Sequence, residues 1–461
     1  MESNYPSIFL DFQLPNASTW FYFSLLLVVA LFVRFDRFLS LRNWDILSLF
    51  VLVPGFLFLQ EAHHLQQVKS GLPEEGATVG QLATTRLQIG YIWLLGGTFY
   101  LFGRCLFDLG LEKRPVISPN LNLGGLIALM IVLFICMSVV AIRRLPDMPI
   151  EQIGKQSVFI QTIQERTTSI IHFETGQTDL SQTNTRFWVE RSVALFLHLA
   201  VITGLILIGY LHFKDLNSGM AAVCIYLLLP YTAYHISQIH HIWPAVFIIW
   251  SIVTYRQAML SGLILGLATG TVFFPGFLFP LWFGFYRGRG MWQFTFGFLF
   301  SLCFSLALTA ITLLQHGEFS EYVHDTLALS DWQVWQIPRS ESFWQTTQAY
   351  YRIPVFTLYI CMVCLTIFWP TQRNLGQVIA QSAAILIGVQ FWYGDQGGVY
   401  VLWYFPLLVL MIFRPSLNDH RPPPVTQNND YVAKFFSATF SFVYHGIQRL
   451  FRVLIPKRSK R

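Results

Sequence analysis

Apolar runs of roughly 17 to 25 residues, the length a helix needs to cross about 30 Å of hydrocarbon, recur in this chain from Trp20 to Phe413. A soluble domain of 461 residues needs far more surface charge than the 12% Asp, Glu, Lys and Arg found here, beside 54% hydrophobic and 16% aromatic residues. The runs predict an all-α, polytopic integral membrane helical bundle of about 11–13 transmembrane helices. The expected crossings are Trp20–Val33, Trp44–Leu59, Leu87–Leu106, Leu123–Ile142, Ser192–Leu211, Gly219–Tyr234, Ile242–Tyr255, Met291–Leu314, Ile353–Trp369, Leu375–Phe391 and Val399–Phe413. Between Met259 and Tyr286 two short apolar halves, joined at Phe273–Phe277 (FFPGF), fit a pair of tilted or half-buried helices. Trp20, Trp44, Trp282, Trp369 and Trp403 stand near the ends of runs, where amphipathic rings settle at the membrane interface.

The net charge of +6 is concentrated at helix ends and in the tail, as membrane topology requires, and does not indicate nucleic acid. An external N-terminus puts most of the 30 Lys and Arg on the cytoplasmic side. They fall in the loops at Arg34–Arg42, Arg104–Arg114, Lys214, Arg256, Arg287–Arg289 and Arg373, and in the tail. The expectation is a multi-pass protein of a bacterial inner membrane, N-terminus outside and C-terminus cytoplasmic. The start MESNYPSIFLDFQLPNAST has no basic n-region, so no cleavable signal peptide is expected. Residues 1–413 form the transmembrane helical domain, with extramembrane loops 143–191 and 315–352. Residues 414–461 read as a cytoplasmic Pro-rich linker (Pro422–Pro424) and a basic amphipathic tail ending in PKRSKR, suited to anionic lipid. All six cysteines lie in apolar segments; Cys361 and Cys364 lack a second ligand pair, so helix packing is expected in place of zinc, redox or disulfide chemistry.

One polar knot interrupts the apolar stretch Ser218–Gly290: His235, Gln238, His240 and His241. Hydrocarbon offers such groups no partners, so the knot belongs at a membrane boundary or against a cavity. Interfacial histidines bonded to backbone or water are one reading, and a substrate site is the other. Metal ligation fits less well, because His240 and His241 point to different helix sides and no carboxylate stands at i+4. The inferred topology brings to the same face Glu61 in the loop Gln60–Arg86, Glu74–Glu75 in the same loop, and Asp395 in FWYGDQGG. A carboxylate beside histidines and aromatic rings can deprotonate an acceptor hydroxyl. A solvated helix end is the simpler reading for Glu61, and for Asp395 a turn is as good a reading as a catalytic group.

The stretch from Leu227 to Gly290 resembles the central signature of GT-C-type membrane glycosyltransferases, closest to the polyprenyl-phosphate-mannose-dependent mannosyltransferase-like group. Gln238 with His240 and His241 matches the polar motif, Gly262–Ala268 the GLxLGLA helix, and Arg287 and Arg289 the basic cluster. Val272–Phe273 stands where the group commonly carries a Lys, and the Gln60–Arg86 loop lacks the usual aspartate motif. The remainder, including LEKRPVISPNLNLGG and WYGDQGGVYVLWYFP, resembles a planctomycete-like bacterial branch carrying this core. The resemblance implies a hexosyltransferase moving a sugar from a polyprenyl-phosphate-linked donor in the lipid to a glycan or protein acceptor on the external face. Glu61 or Asp395 would be the catalytic base, and His235, Gln238, His240 and His241 would bind substrate. No P-loop is present, which suits a lipid-delivered donor; no cofactor is identified, and a divalent metal ion stands as an open alternative. A transporter or flippase-like protein and an inactive GT-C-like scaffold are the rival readings.

Overall fold

The computed structural model describes residues 17–69, 76–110, 117, 119–143, 180–316, 334–335, 343–345, 349–370, 373–393, 398–424, 430–434 and 438. Among these residues there is no strand, and the chain is an all-α polytopic bundle. Among the described residues, six helical stretches are long and apolar enough to cross a membrane: Leu41–Gln66, Thr78–Gly110, Leu123–Ile142, Phe187–Phe213, Met291–Ile311 and Leu375–Trp392. Shorter apolar helices fill the space between them.

The elements run α1 (Ala17–Phe32), α2 (Leu41–Ser48), α3 (Val53–Lys69), α4 (Gly76–Phe107), α5 (Leu123–Arg143) and α6 (Leu180–Ile208). Then come α7 (Leu216–Leu228), α8 (Pro230–Tyr234), α9 (Ile239–Val253), α10 (Ala258–Thr271), α11 (Phe279–Phe285) and α12 (Met291–His316). The last are α13 (Arg352–Leu365), α14 (Leu375–Trp392) and α15 (Phe405–Phe413). Hydrogen bonds between helix ends sort the connections into two ends of the bundle. His212 Nε2 meets the Val253 carbonyl, Tyr286 Oη donates to that of Tyr255, and Asn120 Nδ2 donates to that of Ala30. These belong to the end rich in arginine; the His235–His241 knot lies at the other.

Proline explains where spans break. The expected crossing Trp44–Leu59 is two helices, because Pro54 has no N–H for the Phe50 carbonyl and its ring crowds that turn. The Val53 N–H takes that carbonyl instead, at 3.0 Å. The Leu49 carbonyl inside the break accepts from Tyr231 Oη at 2.6 Å, and that of Val51 accepts from Trp93 Nε1 at 2.7 Å. Pro230 likewise separates α7 from α8, with Leu229 extended before it. The Tyr226 carbonyl it releases is taken by Thr232 Oγ1 at 2.5 Å.

Two interactions tie the bundle together. At the arginine end Arg104 holds Asp45 through two bonds of 2.6 and 2.8 Å, and Arg414 bonds Asp108 at 2.7 Å. Arg104 and Asp108, 3.5 Å apart, close the chain. All four side chains are buried, and burial first, then Arg104, pulls the Arg414 guanidinium down to about 10, still charged at neutral pH. Along the membrane, α10 lies against α12 through Gly262, Gly266 and Gly270, whose backbone approaches the Phe294 and Phe298 carbonyls and the Ser305 hydroxyl. The first half of Met259–Tyr286 is thus a whole helix clamped to a neighbour. The second is a turn at Phe274–Leu278 followed by the short α11.

The described part of the tail crosses the arginine end. The Leu375 N–H donates to the His420 carbonyl at 2.8 Å, and Arg289 to that of Pro422 at 2.9 Å. Asp430 accepts from the N–H of Met259 in the first turn of α10, at 2.9 Å. Trp44 and Trp369 are exposed, as interfacial rings are. Trp282 and Trp403 are instead buried in the bundle, each with a polar partner for its indole N–H: Ser382 for Trp282 and the His240 carbonyl for Trp403. The remainder of the loops 143–191 and 315–352 and of the tail lies outside the described residues.

Adding a methyl group at Gly266 drives it into the Phe298 carbonyl, so Gly266→Ala is expected to destabilise by about 1–3 kcal/mol. Gly96→Ala, which meets nothing within 4 Å, is expected to be neutral or slightly stabilising. Thermal unfolding of the detergent-purified protein checks both. Arg414→Met removes one partner of a buried pair and is expected to cost about 3–5 kcal/mol by the same assay.

Candidate functional site

The sequence around the knot folds as a tight reversal. His235 ends α8, with its N–H on the Tyr231 carbonyl at 3.2 Å. Gln238 is the residue before α9, its N–H on the His235 carbonyl at 3.0 Å and its own carbonyl accepting from His241 at 3.3 Å. These bonds bring His235 back over the first turn of α9, where His240 and His241 lie. The Nδ1–H of His235 donates to Gln238 Oε1 at 2.5 Å, which orients the ring.

Five rings then stack in a column. His235 and His241 face each other with centroids 3.9 Å apart and planes at 24°. His241 stacks on Tyr400 at 5.1 Å, Tyr400 on Trp403 at 4.2 Å, and Trp403 on Phe274 at 4.9 Å. Tyr393 meets Phe274 edge-on at 4.6 Å, and Phe56 meets His235 edge-on at 5.9 Å. Offset and edge-on contacts of this kind suit the ring quadrupoles. The column draws on α8, α9, the turn after α10 and the segment between α14 and α15, and its members are buried.

Proline also sets the column's lower joint. Pro244, inside α9, has no N–H for the His240 carbonyl four residues back. That carbonyl accepts from Trp403 Nε1 at 3.3 Å, so the missing bond is supplied by the ring two places along the stack. Beside it, Gln390 of α14 accepts the N–H of Gly398 at 3.1 Å. Gly398 has φ +88° and lies so close to Leu94 of α4 that a side chain has no room. Arg352, fully buried, donates from Nε to the Trp392 carbonyl at 3.1 Å, a cation at the end of a helix.

No protein-family model, curated protein or solved structure matches this chain. The site therefore rests on its own geometry.

His235, Gln238, His240 and His241 are brought together as the sequence suggests, but as a stack. Stacked rings send their in-plane lone pairs in parallel, and among the described residues no group of three His, Cys, Asp or Glu is placed to hold a metal ion. The segment expected as the loop Gln60–Arg86 continues α3 to Lys69 and begins α4 at Gly76, because EAHHLQQVK contains no helix breaker. Glu61 is an exposed residue on α3, 3.3 Å from Arg86 of α4. Such half-exposed pairs contribute little. Asp395 and Glu74–Glu75 lie outside the described residues. Sequence reasoning missed Tyr400 as a stacking partner and Trp403 as a donor to the His240 carbonyl. The available signals were Pro244 four residues after His240 and the aromatic density of VYVLWYFP.

Trp403→Phe leaves the His240 carbonyl buried without its donor and is expected to cost about 1–3 kcal/mol. With Pro244→Ala in the same chain, the N–H restored at position 244 serves that carbonyl, and the loss from Trp403→Phe should shrink. A double-mutant cycle on thermal unfolding measures the coupling.

Proposed function

We propose that this protein is a membrane glycosyltransferase that moves a sugar from a polyprenyl-phosphate-linked donor to an acceptor on the external face. The observation that carries this reading is the column His235–His241–Tyr400–Trp403–Phe274, where polar edges and broad aromatic faces meet at one end of an apolar bundle. Ligand sites of this make-up orient a substrate with a few polar groups while apolar walls bury it. The resemblance of Leu227–Gly290 to GT-C enzymes supports the same reaction class.

The arginine end is then cytoplasmic, since basic residues are retained there, and the histidine end is external. Asp395 is the preferred base. It follows two residues after Tyr393 in the sequence, and the ring of Tyr393 packs on Phe274. Glu61 is the second candidate; its exposed ion pair with Arg86 is readily exchanged for water. His235 and Gln238, already bonded to each other, hold the wall in place, and His240 and His241 bind substrate.

One observation favours transport: the breaks at Leu49–Leu52 and Leu229–Pro230 meet through Tyr231, as broken helices do at transporter sites. Both broken spans run from the arginine end to the histidine end, however, and an inverted repeat pairs spans of opposite direction.

The test is transfer of a labelled sugar from a polyprenyl-phosphate donor by protein in proteoliposomes, with uptake of the same donor measured alongside. Asp395→Asn is expected to lower transfer about 100-fold or more, and Glu61→Gln less. Wild-type transfer in both variants removes the two catalytic assignments. Uptake without transfer selects the transport reading.

A further inference from the structure

Resting on the reading above and narrowing it, we propose that His240 and His241 bind the hydroxyl groups of a sugar or polyol and make no contact with a phosphate. The argument is a count of hydrogen-bonding groups. An ordinary imidazole is mostly neutral at pH 7, with one N–H to give and one nitrogen to receive. Both ring nitrogens of His240 and both of His241 are buried and have no hydrogen-bond partner. The Trp403 indole spends its N–H on the His240 carbonyl and leaves that ring alone.

A group that satisfies this set must accept two hydrogen bonds and give two. Hydroxyls do both. A phosphodiester or carboxylate only accepts, so two ring nitrogens stay empty; an ammonium only gives, so two N–H groups do. The guanidinium groups described at this end are engaged elsewhere: Arg86 beside Glu61, Arg191 on the Ala141 carbonyl and Arg352 on that of Trp392. Buried groups left without partners are costly, so the closed arrangement is poised to open for a ligand that fills them. Entry is on the His240 side, where the residue keeps 9% exposure while His241 has none.

Polyhydroxyl chemistry has two sources in a membrane, a glycosyl group and the glycerol headgroup of a lipid, and the experiment separates them. Full-length protein carrying 15N-histidine is placed in phosphatidylcholine nanodiscs. The imidazole signals of His240 and His241, assigned with His240→Gln and His241→Gln, are followed while methyl α-mannoside, glycerol or the phosphodiester dimethyl phosphate is added. Both rings are expected to shift with the glycoside and to ignore phosphate. In parallel, His241→Leu is expected to weaken binding of the sugar-bearing polyprenyl phosphate by about tenfold. Bare polyprenyl phosphate should bind as before, and His241→Gln, which keeps a donor and an acceptor, should retain most of the affinity.

A response of these rings to phosphate overturns the proposal, as does equal weakening of both lipids by His241→Leu. Rings that ignore the glycoside overturn it too, and a response to glycerol alone reassigns the site to a lipid headgroup. Failure of the sugar-transfer reading looks different: the rings still respond to the glycoside while no sugar is transferred.

Discussion

Hydrocarbon forms no hydrogen bonds, and the architecture follows from the way each interruption of a helix is repaired from inside the protein. Pro54, Pro230 and Pro244 each release a carbonyl four residues back, and each carbonyl finds another donor: Val53 N–H, Thr232 Oγ1 and Trp403 Nε1. The break between α2 and α3 needs more, and Tyr231 and Trp93 supply it from neighbouring helices. These repairs are local for Pro54 and Pro230 and long-range for Pro244. The long-range one joins α9 to the segment before α15 and so assembles the ring column.

The same constraint governs charge. Asp45, Arg104, Asp108 and Arg414 form a balanced chain, each ion facing a partner of opposite sign, and this makes burial of four charges tolerable. Arg414 also occupies the space that a side chain at position 376 would need, so α14 and the start of the tail fit together around its guanidinium. Along the bundle, glycine brings α10 and α12 to backbone contact, which helps hold fixed the turn at Phe274–Leu278 and with it the far end of the column. The site is thus a consequence of the packing: its rings come from three separated stretches, 235–241, 274 and 400–403, that the repairs and clamps place side by side.

Much of the fold was legible in the sequence. Span positions such as Leu123–Ile142 and Leu375–Phe391 agree with the helices to within a residue or so, because length and apolarity alone decide them. The glycines Gly262, Gly266 and Gly270 bring α10 against α12, and their spacing of four along one helix is visible in the sequence. The histidine knot stood out because polar groups are rare in such a chain. Less legible was the break at Leu49–Leu52, although Pro54 marked it: apolarity alone does not distinguish one span from two short helices that share its length. The ion pair of Glu61 with Arg86 on the next helix was not legible either, because it joins residues 25 positions apart.

The order of apolar and polar residues by itself determined that this chain is a multi-span helical bundle with an isolated polar knot, since transfer of each segment to hydrocarbon is a local property. Which rings stack on the histidines, which indole answers the Pro244 carbonyl and where each buried arginine finds its acid were decided only by tertiary structure. Those partners stand as much as 306 residues apart, as Asp108 and Arg414 do, and no local pattern encodes a pairing made by packing.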